Sequence, residues 1–576
     1  MGRENDRRWI WEKTRIPLLL LVLAVTAMDM LTTPTDWRFI VFGQFLFNAI
    51  PAVLFFSLIL AISRNPRFST VITWLLCAIV YLTNYMIYYQ WNSYLLPAHF
   101  YLAIADIRVT GLIFTNLSFP LFVSGIMIVG AVLGTGLAVF ALSNNRKPEI
   151  LFPPRIRAAM VLAVSVMALT MHYGKDGVAA VMRGVAIEQH EWDMGEQIKR
   201  GLFNHLYLTA TNPGLFTRMV KGDPSNILEL AERLPPLDCD DYCVRPDVVA
   251  VLAESMIDPL TLRADFHADP LAGLRAGTAK NRASGLIRVH IAGGRTWNSE
   301  YTFLTGIPGP LFSWSAPRPF ILADSNTWTI ARAFRKLGYK TIAVYAARGN
   351  YIFNARAKYL DLGFDQFLDD KDIDARYGKA DGTADGMVLN AIDQILRDEP
   401  EPTFIFAVSY DLHMPYANKR NGLFVDESVG TPAVQEYFRR QNEFSTKVSK
   451  FIEDQDKKGD PMLFAMFGDH VPPLLRDFEE IGFRDDVPDP LYKTPYLLHS
   501  TYGPVSVNPP NLDLSYLAGL VFDQARLDSG QYFRVNSMFR GLCGGVFIRC
   551  RAAPELIQSY YAYLYTNIAA SAKVGY

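Results

Sequence analysis

The chain has almost no excess of charge of either sign: 56 lysines and arginines stand against 57 aspartates and glutamates, a net charge of −1 over 576 residues. Binding to nucleic acid needs a basic surplus, so that class of partner is excluded at the outset. Charge is absent altogether from runs such as Ile16 to Met28, which excludes the helical core of an ordinary soluble protein there. Cysteine is scarce as well, with five in all. Cys77 lies in an apolar run and reads as a small apolar residue, while Cys239 and Cys243, and Cys543 and Cys550, form two close pairs. In an oxidising compartment these are two local disulfides; the competing reading, a site of four thiolates, has spacings poorly suited to zinc.

What is abundant is apolar sequence, unevenly placed. Stretches at about 16–32, 39–62, 69–89, 119–142 and 158–173 each approach the length a hydrocarbon core requires, giving a five-helix transmembrane domain over 1–173. Further spans follow the first at once, which excludes a cleaved signal peptide. Arg3, Arg7, Arg8, Lys13 and Arg15 precede the first span, Arg64 and Arg67 fill the second connection, and Arg146, Lys147, Arg155 and Arg157 fill the fourth. The opposite connections offer only Arg38 and Arg108, so the positive-inside rule puts the N-terminus in the cytoplasm and everything beyond Tyr173 outside. The aromatic connection Gln90 to Ser118 reads either as an interfacial segment or as a loop packed over the bundle. An amphipathic helical linker follows over 174–238, broken at Asn212-Pro213-Gly214.

From 239 to 576 strand and helix patterns alternate, which predicts an α/β domain built on a mainly parallel sheet. Three strand ends in it carry chemistry. The apolar run Val248 to Ala253 delivers Glu254 and Ser255; Leu286 to Ile291 runs into Gly293, Gly294 and then Thr296; Met462 to Phe467 ends in Gly468-Asp469-His470. Ligands gather at the carboxyl edge of such sheets, so Glu254, Asp469 and His470 are expected to converge near Thr296. Two carboxylates and an imidazole suit Zn²⁺ or Mn²⁺, with Mg²⁺ also possible, and a cation there would activate the Thr296 hydroxyl. Alone, a threonine after two glycines is an ordinary turn; its company makes it a candidate nucleophile.

The Glu254-Ser255 strand end, the Gly293-Gly294-Arg295-Thr296-Trp297-Asn298-Ser299-Glu300 block and Phe467-Gly468-Asp469-His470-Val471-Pro472-Pro473-Leu474 together resemble one known group. These are the lipoteichoic acid synthase-like and phosphoethanolamine transferase-like membrane transferases of the alkaline phosphatase (sulfatase) superfamily, and the likeness covers roughly 245–505. It implies Thr296 as nucleophile and metal ligand, with Glu254, Asp469 and His470 completing the metal site. His413, in Asp411-Leu412-His413-Met414-Pro415-Tyr416, resembles the family's phosphate-contacting histidine. One segment departs from the pattern. The family's histidine falls at Ala346, and its Trp-Asn-Arg-Asp becomes Phe353-Asn354-Ala355-Arg356, so its phosphate-contacting arginine aligns with Ala355. Asn354, with Arg348 or Arg356 as replacement cation, is then the expected substrate-binding set. His290 and His499 read as satisfied core residues.

The resemblance implies a bacterial inner-membrane enzyme with a periplasmic catalytic domain. Its donor would be phosphatidylglycerol or phosphatidylethanolamine, and its acceptor a cell-envelope glycan or lipid, reached through a phosphothreonine. Other readings are a sulfatase, a phosphodiesterase, and a catalytically inactive lipid-sensing or scaffolding relative. Against the sulfatase, Ser315-Ala316-Pro317-Arg318-Pro319 lacks the arginine that motif needs in last place, and Thr296 cannot be oxidised to an aldehyde. Against the scaffold, a binding module has no chemical need of four metal-site residues.

Overall fold

The structure, a computed structural model, describes residues 18–28 in part, 42–91, 95, 153–173, 202, 203, 206, 223–233 and 244–572. Within the last stretch, 276–278, 312–319, 321–324, 348–354, 417–428 and 549 are outside the description. Several expectations therefore lie outside the described residues: the span at 119–142, most of the Gln90–Ser118 connection, the Cys239–Cys243 pair, Ser315 to Pro319, Arg348 and Asn354. The chain divides into two compact units, Met1–Gly214 and Leu215–Tyr576.

In the first unit, helices α1 (Phe42–Ser63), α2 (Pro66–Trp91) and α3 (Pro154–Tyr173) fall where apolar runs predict them. The α1–α2 break is chemical: Arg64 takes a positive φ of 59°, Pro66 opens the next helix, and the Asn65 side chain accepts the Phe68 amide at 3.2 Å. Leu21, Val25, Ala52, Phe56, Leu60, Cys77 and Tyr81 form the core of this unit. Among the described residues, one stretch, Phe68–Tyr85, is long and apolar enough to cross a membrane, and Ala49–Ser63 is a shorter apolar helix. Ile156, Leu162, Val166 and Leu169 lie exposed on α3.

The second unit is built on an eight-stranded sheet in the order β4-β3-β5-β1-β6-β7-β2-β8. The strands are β1 (Asp247–Ala253), β2 (Arg282–Arg288), β3 (Lys340–Tyr345), β4 (Gln366–Leu368), β5 (Thr403–Val408), β6 (Met462–Gly468), β7 (Lys493–Ser500) and β8 (Leu512–Asp513). β7 runs antiparallel to β6 and β2; every other neighbouring pair is parallel. Side chains alternate between two cores: Val248, Ala250 and Leu252 enter one, Val249, Val251 and Ala253 the other. A strand buried on both faces has no polar side to show, which is why β1 and β6 read as unbroken apolar runs. The helices used below are α4 (Thr296–Thr305), α5 (Asp370–Tyr377), α6 (Ala384–Asp398) and α7 (Pro432–Lys458). Thr383 caps α6 through the Gly386 amide at 3.1 Å, and Val388, Ala391, Ile392 and Ile395 recur at helical spacing on its buried face.

One element differs from expectation. The strand expected at Leu286–Ile291 runs instead from Arg282 to Arg288 and lies antiparallel to β7. Its partial exposure accommodates Arg282, Ser284 and Arg288, which a strand buried on both faces would exclude. A loop from Val289 to Arg295, rather than a parallel strand end, thus carries the chain to Thr296.

The end of β6 is pressed so closely between the turn after β1 and the start of β7 that a methyl group on Gly468 would stand 2.6 Å from Met256 Cβ and 2.8 Å from Thr494 Cβ. Gly468→Ala is expected to destabilise the protein by about 1–3 kcal/mol and, by displacing the adjacent Asp469, to weaken divalent-cation binding. Thermal melts and metal titration check both; unchanged values would refute the tight-contact reading.

Candidate active site and metal centre

β1 and β6 stop together, Ala253 opposite Gly468, so Glu254 and Asp469 leave neighbouring parallel strands side by side. The Asp469 amide still donates to the Ala253 carbonyl at 3.2 Å, and the Glu254 amide to Ser409 Oγ at 2.9 Å. After Glu254 the chain turns sharply: Ser255 has a φ of 52°, unusual for a residue with a Cβ, and the Tyr437 hydroxyl donates to its carbonyl at 2.8 Å. Thr296 arrives through Gly293, Gly294 and Arg295, whose φ values are 68°, 140° and 71°. Two glycines make that path accessible, and α4 starts at Thr296 itself. Asn298 to Thr305 are all buried; Phe303 lies against Phe406 and Phe467, and Ser299 Oγ donates to the Asp469 carbonyl at 2.6 Å.

The donor atoms of Glu254, Asp469 and His470 lie within 4.8 Å of one another. Thr296 Oγ1 donates to Glu254 Oε2 at 2.9 Å and stands 3.4 Å from His470 Nε2. His470 Nε2 is 3.7 Å from Glu254 Oε1 and 3.2 Å from Asp469 Oδ2. Tetrahedral ligands at about 2.0–2.2 Å from a cation are separated by about 3.3–3.6 Å, so this set fits one. Hydrogen bonding argues the same way. Asp469 Oδ1 accepts the Ser255 and His470 amides, both at 2.7 Å, while Oδ2 is buried without a hydrogen-bond partner. His470 Nδ1 donates to the Val471 carbonyl at 2.8 Å, which turns the Nε2 lone pair toward both carboxylates. A divalent cation held among these acceptors would satisfy them.

The ionisations agree. Burial, followed by the charge of Glu254, pushes the Asp469 carboxyl well above its ordinary range. Burial also acts to raise Glu254, but the charges of His470 and His413 and the bonds from Ser255 and Thr296 outweigh it, and the net direction is down. Burial pulls His470 below its ordinary value, against the raising influence of the Glu254 charge. Arg295, next to Thr296, is lowered to about 10 by burial, against the raising influence of Tyr492.

The remaining expected residues divide. His413 is exposed and stacked on Tyr410 with centroids 5.0 Å apart; its charge is felt at both Glu254 and His470. Arg356 is engaged elsewhere, since it donates to the Phe367 carbonyl at 2.7 Å and pairs with Asp369 and Asp372, the capping box of α5. Expected as a phosphate-binding candidate, it is committed to a helix terminus by those carboxylates. Ala346 and Ala355, at the family's histidine and arginine positions, pack against the two cores. Cys543 and Cys550 are bonded to each other, which rules out a four-thiolate site. His290 bonds Asp513 at 3.1 Å and the Gly309 amide at 3.0 Å, and His499 bonds Asp456 at 2.8 Å, both satisfied as expected.

Three supporting residues carried no assignment from sequence. Ser255 Oγ donates to Glu254 Oε1 at 2.7 Å, Ser299 ties α4 to β6, and Glu300, one turn behind Thr296, accepts hydroxyls from Tyr345 at 3.3 Å and from Tyr359. A carboxylate four residues after Thr296 on a buried helix was the available signal for the last.

Residues 246–526 match the Sulfatase family. An uncharacterized protein of Haemophilus influenzae is 22% identical over 475 residues, 77% of this chain and 81% of that one. A putative cyclic β-1,2-glucan modification protein of Rhizobium meliloti is 24% identical over 250 residues, 42% of this chain and 38% of its own length. The comparison with solved structures finds a phosphoglycerol transferase of Streptococcus pyogenes, 19% identical, covering 62% of this chain and 92% of its own with a TM-score of 0.48, and phosphoethanolamine transferases. Among them, the integral membrane lipooligosaccharide phosphoethanolamine transferase A of Neisseria meningitidis is 12% identical, covers 91% of this chain and 97% of its own, and has a TM-score of 0.51.

Two outcomes follow for the site. Mn²⁺ or Zn²⁺ at 100 times its Kd should stabilise the protein by about 2.7 kcal/mol, and Asp469→Asn should abolish that gain in thermal melts; equal gains would refute the ligand assignment. Burial raises Glu300 from 4.5 to about 7, against the opposing Tyr359 and Tyr345 bonds. The folded state therefore binds this proton more tightly, and stability from this group is full below about pH 4.5 and declines until about pH 7. In metal-free protein Glu300→Gln should flatten that decline, by up to about 3 kcal/mol; parallel pH–Tm curves for the two proteins would contradict it.

Proposed function

We propose that this chain, whose residues 246–526 match the Sulfatase family, transfers a phospholipid-derived head group to a cell-envelope glycan or lipid through a phosphothreonine at Thr296. The observation that carries the reading is the 2.9 Å bond from Thr296 Oγ1 to Glu254 Oε2 within the cluster that includes Asp469 and His470. A hydroxyl at the first residue of a buried helix faces both a carboxylate able to take its proton and the positive end of the helix dipole. Glu254, Thr296, Asp469 and His470 would hold a divalent cation, which supplies Lewis acidity and neutralises charge on the transferring phosphoryl group.

Thr296 Oγ1 bonds to phosphorus, the phosphorus–oxygen bond to diacylglycerol breaks, and the Thr296 proton passes to Glu254. His413 gives a proton to the departing glyceride oxygen. An acceptor hydroxyl then bonds to the same phosphorus and loses its proton to His413. The phosphothreonine bond breaks, and Thr296 recovers its proton from Glu254. The group carried is phosphoglycerol or phosphoethanolamine, from phosphatidylglycerol or phosphatidylethanolamine. A multi-pass inner-membrane anchor with a periplasmic catalytic unit would raise the effective concentration of that donor. The apolar stretches of the N-terminal unit support this placement, and so does the formed Cys543–Cys550 disulfide, which suits an oxidising compartment. The likeness to a putative cyclic β-1,2-glucan modification protein supports a glycan acceptor.

The test is intact mass of the full chain and of Thr296→Ala after incubation with Mn²⁺ and vesicles of phosphatidylglycerol and phosphatidylethanolamine. A metal-dependent adduct on the unmodified chain alone is expected, with a mass that identifies the head group, together with released diacylglycerol. An adduct on Thr296→Ala would move the nucleophile elsewhere, and no adduct with no diacylglycerol would remove the transferase reading.

A further inference from the structure

His413 is exposed, yet the loop that carries it is fixed from both sides. At its start, Asp385 on α6 accepts the amides of Tyr410 at 2.8 Å and Asp411 at 3.2 Å through one buried oxygen. At its end, Arg440 on α7 donates from one terminal nitrogen to the carbonyls of Asp411 at 3.2 Å and His413 at 3.1 Å, and from the other to Pro415 at 2.9 Å. The Tyr416 hydroxyl donates to the carbonyl of Leu412 at 3.0 Å. Side chains thus satisfy the carbonyls of 411, 412, 413 and 415, where a solvent-facing loop would ordinarily use water. Arg440 is itself set: its Nε donates to Glu436 at 2.8 Å, Arg439 holds both oxygens of that carboxylate, and the Tyr416 ring lies 5.5 Å from the guanidinium carbon. With a side-chain exposure of 6%, this cation is buried where it can hold backbone.

We propose that Arg440 is the positioning residue of His413: its guanidinium fixes the three carbonyls around the histidine, so that the imidazole meets the site in one orientation. The loop geometry also sets the tautomer, because His413 Nδ1 lies 2.7 Å from the Met414 carbonyl, which itself sits between two carbonyls that Arg440 holds. Nδ1 therefore carries the proton toward Met414, and Nε2 is left for the substrate. Lysine cannot do the same: a single ammonium nitrogen does not span three carbonyls while remaining paired to Glu436. This inference rests on the proton-shuttling role given to His413 above.

The experiment compares the full chain with Arg440→Lys, His413→Ala and the double variant, reading diacylglycerol release from vesicles of the two phospholipids. Alongside it, the histidine ¹⁵N spectrum in lipid nanodiscs is assigned for His413 by its loss in His413→Ala. Arg440→Lys should lower kcat/KM on the order of 10- to 100-fold, the double variant should be within about twofold of His413→Ala, and Mn²⁺ affinity should be unchanged. The His413 signal should move from the Nδ1-protonated position toward a tautomer average. A retained signal, near-normal turnover in Arg440→Lys, or losses that multiply in the double variant would each overturn the proposal. If the unmodified chain turns over neither lipid, the transferase reading fails while the ¹⁵N signal still decides the role of Arg440. Should Arg440→Lys not fold, Asp385→Ala, which frees the other end of the loop, takes the same two readings.

Discussion

Everything at the functional edge depends on one register: β1 and β6 end opposite each other, and two carboxylates leave them side by side in a buried pocket. Like charges so placed disfavour joint ionisation, and the pocket answers asymmetrically. Glu254 is held low by hydroxyls and imidazoles, and Asp469 is driven high by burial and by Glu254. Asp469 then has one oxygen saturated by two amides and the other bare. A divalent cation placed among these acceptors would relieve that repulsion, which is what the proposed metal site requires of them.

Around that pair the protein places three supports of different kinds. α4 is packed nearly all round by aromatic and aliphatic neighbours, so Thr296 sits at the end of a rigid rod rather than on a free loop. Ser255 and Ser299, both easily overlooked as small polar residues, hold a ligand carboxylate and the β6 terminus. Glu300 accepts bonds from the tyrosine that ends β3 and from a tyrosine on the helix Ala355–Asp361, linking α4 to the flanks of the segment that departs from the family pattern. Rigid placement of this kind is what the proposed nucleophilic role of the Thr296 hydroxyl requires.

The opposite strategy operates at the rim. His413 stays exposed, as its proposed role in proton exchange requires, while its backbone is secured from α6 and α7 by Asp385 and Arg440. Arginine is used twice for structure where a substrate role was expected or available: Arg356 binds the cap of α5 and Arg440 the His413 loop. Both follow from the planar guanidinium, which meets several oxygens at once whether they belong to phosphate or to protein.

The sequence alone determined the strand ends that carry Glu254 and Asp469-His470, because strands buried on both faces need apolar side chains throughout and announce where they stop. It also determined the glycine-led entry to Thr296, the helices α6 and α7 with their buried periodic faces, and the mainly parallel sheet, since each is written in local spacing. Only the tertiary structure decided that β2 runs antiparallel to β7, that Arg356 turns to Asp369 and Asp372, and that Glu300 and Arg440 matter at all. Those outcomes join residues that are not neighbours in any local pattern, such as Ser255 and Asp469, 214 positions apart. Periodicity reports whether a side chain is buried; which partner it meets there is set by strand register and helix packing, which no local window contains.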